Sequence, residues 1–208
     1  MRSHEKIDNL TITGNLRLGK STTGKVTSTA AELNILDGVT ATAAELNIMD
    51  GVTATAAEIN NACDVSTRLV AVTAGTLSLT AALHANRVVT LETLTGTVLT
   101  LPAATGTGNV YTVVIKAAAT SNAHIIQTSA GTEHMVGSLL TIDSDVNTTS
   151  LGWGVPTNTD TITMNGTATG GKPGDTIILT DYEATNFTVS GHLKQSGGSE
   201  VTPFSAAV

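Results

Sequence analysis

Apolar and polar residues alternate through residues 7–18, I-D-N-L-T-I-T-G-N-L-R-L, with Leu10 and Ile12 before a Gly14-Asn15 turn signal and Leu16 and Leu18 after it. Period two predicts a strand, folded as a hairpin or kinked at the turn. Between Val26 and Asp64 the pattern changes to three consecutive copies of a thirteen-residue unit: V-T-S-T-A-A-E-L-N-I-L-D-G, V-T-A-T-A-A-E-L-N-I-M-D-G and V-T-A-T-A-A-E-I-N-N-A-C-D, opening at Val26, Val39 and Val52. From about Val65 the text turns to β-branched runs punctuated by Gly, Asn, Asp, Thr and Pro. Strands are expected near 69–73, 76–80, 87–91, 96–101, 110–116, 123–128, 135–142, 160–164, 175–181 and 186–193. Many short strands with turn signals between them predict a sandwich or barrel. The partition is an N-terminal anchor segment, 1–25, a repeat stalk, 26–65, and a C-terminal β domain, 66–208.

Each repeat carries its own helix instructions. Thr29 to Glu32, Thr42 to Glu45 and Thr55 to Glu58 have capping-box spacing: the Thr hydroxyl accepts from the N3 amide and the Glu carboxylate reaches back to the N-cap amide. The two alanines between them favour helix, and the carboxylate sits at the positive end of the helix dipole. Leu33 and Leu36, then Leu46 and Met49, form a narrow apolar stripe at i, i+3. Gly38 and Gly51 are placed to end the helices in the left-handed conformation. The third copy decays, with Asn61 and Ala62 at the Ile and Leu/Met positions and Asp64 at the glycine, so its helix is expected to be the weakest and Asn60–Thr67 to be a junction. A helix of about two turns is marginal in water, so the units need packing partners. Along an extended stalk the simplest partner is another copy of the chain. Three chains about an axis would bury Leu33, Leu36, Val39, Leu46, Met49, Val52 and Ile59 against one another.

Composition sharpens this reading. The chain has 208 residues, 40% of them hydrophobic but only 2% aromatic, so its core must be built from Val, Ile, Leu, Ala and Thr. No run approaches the ~18 apolar residues of a membrane-spanning helix. The N-terminus lacks the apolar h-region of a signal peptide, which points to synthesis in a cytoplasm. A single cysteine, Cys63, rules out an intrachain disulfide framework and stands where Asp37 and Asp50 stand in the other copies. Residues 1–25 hold Arg2, Lys6, Arg17, Lys20 and Lys25 against Glu5 and Asp8, a net of +3, whereas the remainder carries −10. Arg2, Lys6, Ile7, Leu10 and Ile12 are therefore expected to dock on an acidic surface. Five scattered basic residues are too few to indicate nucleic-acid binding.

The chemical motifs are weak. Gly14-Asn-Leu-Arg-Leu-Gly19-Lys20-Ser21 matches the P-loop letters, but its interior is a strand pattern and no helix opens after it, so the match is read as a coincidence. Asp143-Ser-Asp145-Val-Asn147 begins like a calcium loop yet has Thr148 at the sixth position and Gly154 at the twelfth, which favours a solvated turn. His4, His84, His124, His134 and His192 show no metal-ligand spacing. No Gly-x-Ser-x-Gly elbow and no nucleophile–base pair can be read, so no catalytic residues, metal or cofactor are assigned. Trp153, in Leu-Gly-Trp-Gly-Val-Pro, is the one candidate surface contact for a sugar ring, but packing on the domain or a trimer mate is the favoured reading.

The T-A-A-E-L-N-x-L/M-D-G-V-T units resemble repeats of tailed-bacteriophage fibre and virion structural proteins. The text around Leu99–Gly108, Tyr111–Ile115, Thr161–Gly171 and Gly174–Leu179 is similar to domains of such proteins, so that the likeness spans most of residues 26–205. It implies a homotrimer anchored by its N-terminal segment, with a distal antiparallel β-sandwich or jelly-roll-like domain. The implied function is structural and non-enzymatic: a head fibre or decoration protein of the virion, assembled in the host cytoplasm, whose partners are its own copies and a major capsid or other virion protein. A receptor-binding tail fibre that recognises a host surface glycan is the alternative. Neither reading calls for a nucleic-acid or membrane partner.

Overall fold

The computed structural model describes residues 28–35, 37–63, 68–145 and 150–208. The chain divides into two compact units, with the boundary between Thr53 and Ala54. The first holds α1 (Ala30–Ile35) and α2 (Ala43–Ile48), one helix for each of the first two repeats. The third repeat belongs to the second unit and forms α3 (Ala56–Cys63). It is the longest of the three, eight residues against six. The expected weakening is therefore corrected. Asp64 replaces the turn-forming glycine, so the helix runs on to Cys63 where the first two copies break off.

The rest of the second unit comprises β1 (Leu69–Val72), β2 (Thr76–Ser78), a one-turn helix α4 (Ala81–His84), β3 (Arg87–Leu91), β4 (Val98–Thr100), β5 (Val110–Ile115), β6 (His124–Gln127), β7 (His134–Asp143), β8 (Ser150–Gly154), β9 (Thr161–Met164), β10 (Thr176–Glu183), β11 (Asn186–Gln195) and β12 (Phe204–Ser205). They build a seven-stranded sheet, in the order β1-β3-β5-β10-β11-β7-β8, and a five-stranded sheet, β12-β9-β6-β4-β2. The two share one core cluster. The first six strands alternate between the sheets, so that β1, β3 and β5 stack in parallel in one and β2, β4 and β6 in the other. That is three coils of a solenoid. β9 and β10 close its far side, each pairing antiparallel with the last coil.

The sheets are thus mixed, where the sequence led us to expect antiparallel sheets or a jelly roll. Strand direction is invisible to a period-two pattern, because an amphipathic strand reads the same in either pairing. What sets direction here is that the chain leaves β1, β3 and β5 for the opposite sheet instead of turning back beside itself, and each strand of the second sheet serves as the crossover.

The alternation itself is obeyed. β5, V-Y-T-V-V-I, buries Tyr111, Val113 and Ile115 and half-exposes Val110, Thr112 and Val114. Two of the five aromatic residues meet at the centre: Tyr111 packs edge-on to Phe187 with centroids 6.5 Å apart and planes at 68°. Gly137 and Gly191, with φ of 124° and 145°, sit where a Cβ would run into the carbonyl oxygens of Val189 and Thr176. Only glycine lets β7, β11 and β10 approach so closely.

Three elements escape sequence reading. β8 interleaves glycine with Leu and Trp, β12 has two residues, and α4 is a single turn. α4 opens Thr80-Ala81-Ala82, the same letters that open each repeat, but the reach-back is made by an imidazole: the Thr80 amide donates to His84 Nδ1 at 2.9 Å, while Thr80 Oγ1 accepts from the Leu83 amide. Burial, partly opposed by the contact with the Thr80 backbone and reinforced by the Arg87 charge, holds His84 below the usual histidine range. His124, fully buried with Nε2 against the Ala117 carbonyl, is lowered in the same way, burial again being the main cause. A folded-state pKa below the unfolded one gives stability that is present above the ordinary histidine value and lost as pH falls through the folded one. Stability to urea should therefore decline from about pH 6.5 to pH 5, before most carboxylates titrate. His84→Asn should flatten that slope, and an unchanged slope would refute the imidazole cap.

Candidate functional site

All three capping boxes form, with nearly identical geometry. The Thr29, Thr42 and Thr55 amides each donate to the paired glutamate Oε2 at 2.7 Å. The Glu32, Glu45 and Glu58 amides return the bond to the Thr hydroxyls at 3.2, 3.3 and 3.3 Å. Each hydroxyl also donates to the same carboxylate oxygen. The backbone bond first, and the hydroxyl second, hold these glutamates below the ordinary carboxylate range. Gly38 and Gly51 both have φ of 82°. After α2 the C-cap is Met49, and Gly51 lies two residues on, in a turn closed by the Val52 amide on the Met49 carbonyl.

The capped helices hold their apolar side chains in water. Leu33 and Leu46 are 47% and 43% exposed, and Ile35 and Ile48 are both 75% exposed. Val39, Met49 and Val52 are exposed as well, and α2 buries none of its residues. Ile59, in α3, is half-buried. The exposures match from copy to copy, so the two units of the first body present the same apolar face twice. Sequence reading missed Ile35 and Ile48, the most exposed of the set, because the i, i+3 stripe from Leu33 and Leu46 passes them by. Leu36, the docking residues Arg2, Lys6, Ile7, Leu10 and Ile12, and the P-loop-like segment lie outside the described residues.

Trp153 packs inward on the domain, the reading favoured over a surface platform. It stands opposite Leu139 on β7, packs against the core, and its Nε1 donates to Gln195 Oε1 at 3.0 Å. Gln195 is fully buried, and its amide donates to the Ala168 and Val201 carbonyls at 2.7 and 2.8 Å. The reason is parity. On β8 the outward positions are Ser150, Gly152 and Gly154, and Leu151 and Trp153 take the inward ones. Trp153→Phe would leave a buried amide oxygen without its donor and should cost about 1–3 kcal/mol in a denaturation curve followed by far-UV circular dichroism. A residue held at the surface for ligand stacking would show no such cost.

The acidic body is explained from inside. Glu133, Asp160, Asp175 and Asp181 are buried, and each binds backbone amides of loops distant in sequence or at turns. Asp175 accepts from Gly171, Lys172 and Lys194, and Glu133 from Ala104 and Ser129. These carboxylates are loop clamps, a use that charge counting cannot reveal. Asp143 and Asp145 of the calcium-loop-like segment approach Glu200, their ligand atoms within 4.8 Å of one another. Asp145 Oδ2 already accepts from the Gly197 amide, and Asp143 Oδ1 from the Asp145 amide. A groove of about 830 Å³ lies between α3 and α4, lined chiefly by alanines with Arg68, Arg87 and Asn109; its carboxylate, Glu58, is committed to the α3 cap. Among the described residues no helix is long and apolar enough to cross a membrane.

No family model, no curated protein and no solved structure matches the chain.

Proposed function

We propose that this chain is a self-associating structural protein of a phage particle, a homotrimeric fibre or decoration protein attached through its N-terminal segment. The observation that carries the proposal is the pair of equivalent capped helices whose apolar side chains face solvent at a fixed thirteen-residue spacing. Side chains of this size are not left in water in identical positions without a partner that repeats at the same interval, and another copy of the chain is such a partner. The resemblance of the repeats to virion proteins supplies the setting. The engagement of Trp153 with the core and with Gln195 supports the structural role over glycan recognition at that residue.

The test is to image intact particles from cells that make the chain by cryo-electron microscopy. Threefold density on the capsid, its inner end formed by residues 1–25, is the expected result. Density confined to the tail tip would overturn the head-fibre assignment, and particles lacking the chain altogether would overturn the virion role.

A further inference from the structure

We propose that the outer face of the seven-stranded sheet is the surface through which copies of the β unit pack on one another. This rests on the reading of the chain as self-associating and says where the β unit takes part. The outward positions of β5, β10, β11, β7 and β8 bear one carboxylate, Glu183, at the very end of β10 where it pairs with Asn186. Aliphatic side chains recur across them: Val114 on β5, Ile178 on β10, and Val136, Leu140 and Ile142 on β7. Leu140 is 54% exposed although it lies mid-strand in a paired ladder. The two fixed charges are of opposite sign and marginal: Glu183 ends β10, and Lys194 is engaged, its Nζ donating to the Pro173 carbonyl at 2.8 Å.

Two features name the occupant. The first is charge. A nearly neutral face has nothing to offer a polyanion or a strongly charged protein, and its complement is another neutral apolar sheet, which a second copy supplies at equal concentration. The second is size. These five strands, about 4.8 Å apart and five to ten residues long, span a projected area on the order of 600 Å². That approaches the ~800 Å² of accessible surface per partner in a stable protein interface.

The edge strand β8 agrees with this. Its outward Gly152 and Gly154 have no left-handed φ, and a Cβ at either would meet open space, so the chain's own packing does not require glycine there. Glycine weakens a strand unless another surface must come close.

The test uses the full chain with Cys63→Ala and a single reporter, Ser190→Cys, on the exposed outward side of β11. Maleimide labelling should be about tenfold slower under conditions where the chain is an oligomer than in dilute solution. Adding Leu140→Arg should restore the dilute rate, and a reporter off the face, Ser199→Cys, should label at one rate throughout. Thr112→Cys, on β5, replaces Ser190→Cys if that variant does not fold. A concentration-independent rate at the reporter in a chain that is oligomeric by mass overturns the proposal and leaves self-association standing. A chain that is monomeric at every concentration overturns both.

Discussion

Asp181→Ala should destabilise the β unit by about 3 kcal/mol. Asp181 lies near the end of β10, only 2% exposed, and closes the loop that precedes β5. Its Oδ1 accepts from the Thr105 and Gly106 amides at 2.9 and 2.6 Å, and its Oδ2 from the hydroxyls of Thr105 and Thr107, both at 2.9 Å. The Thr107 amide adds a longer contact at 3.4 Å. Removing the carboxylate releases the loop Thr105–Thr107, whose residues are themselves exposed, from its buried anchor, and a bond to a charged group is worth about 1.5–3 kcal/mol. The bonds are not additive, because the loop can rehydrate in part, which keeps the expected loss well below their sum.

The pH dependence has a definite sign. Burial pushes the Asp181 carboxyl up, but the Gly106 amide, the two threonine hydroxyls and the Thr105 amide outweigh it and hold the group below its ordinary value. A lowered folded pKa contributes stability above the ordinary aspartate value and loses it as pH falls through the folded one. The deficit of the variant should therefore be full at pH 7 and shrink below about pH 4. Urea unfolding of both proteins at neutral and acid pH measures it. A deficit under about 1 kcal/mol at pH 7 would show that the loop holds without its clamp.

Leu33→Asp combined with Leu46→Asp should abolish self-association while leaving the chain folded. Both side chains are exposed in the single chain and neither takes part in a capping box, so the substitution costs the isolated helices only about 0.5 kcal/mol each in helix propensity and some local packing. In an assembly each leucine would contribute about 1.5–3 kcal/mol if fully buried, and an aspartate in its place would have to be desolvated. Summed over three chains, that loss exceeds what a standard interface can spare. Sedimentation velocity is the readout, with circular dichroism as the check on folding. A variant that sediments like the parent oligomer would show that the repeats do not hold the chains together.

The parts of this protein that obey local rules were legible. Ten of the twelve strands among the described residues were read, because Val, Ile, Tyr and Thr alternate through them, and each repeat announces its cap by Thr and Glu three residues apart. The third helix was underrated, since a missing glycine was read as decay when its consequence is an uninterrupted helix. β8 was missed because Gly152 and Gly154 remove the outward half of its pattern. Parallel pairing was missed because a strand's direction is written in its connections. The inward turn of Trp153 depends on the parity of that missed strand, and the buried clamps depend in part on distant amides: Ala104 for Glu133, Ala207 for Asp160, Lys194 for Asp175 and Thr105 for Asp181. Neither is recorded near the residue itself.

The central claim is that the exposed repeat faces are covered by other copies of the chain. The mass of the intact 208-residue chain in solution, by native mass spectrometry across a dilution series, tests it most directly. The account predicts a species of three times the 21.1 kDa chain that dissociates on dilution and is lost in Leu33→Asp with Leu46→Asp. A folded monomer at every concentration would contradict it.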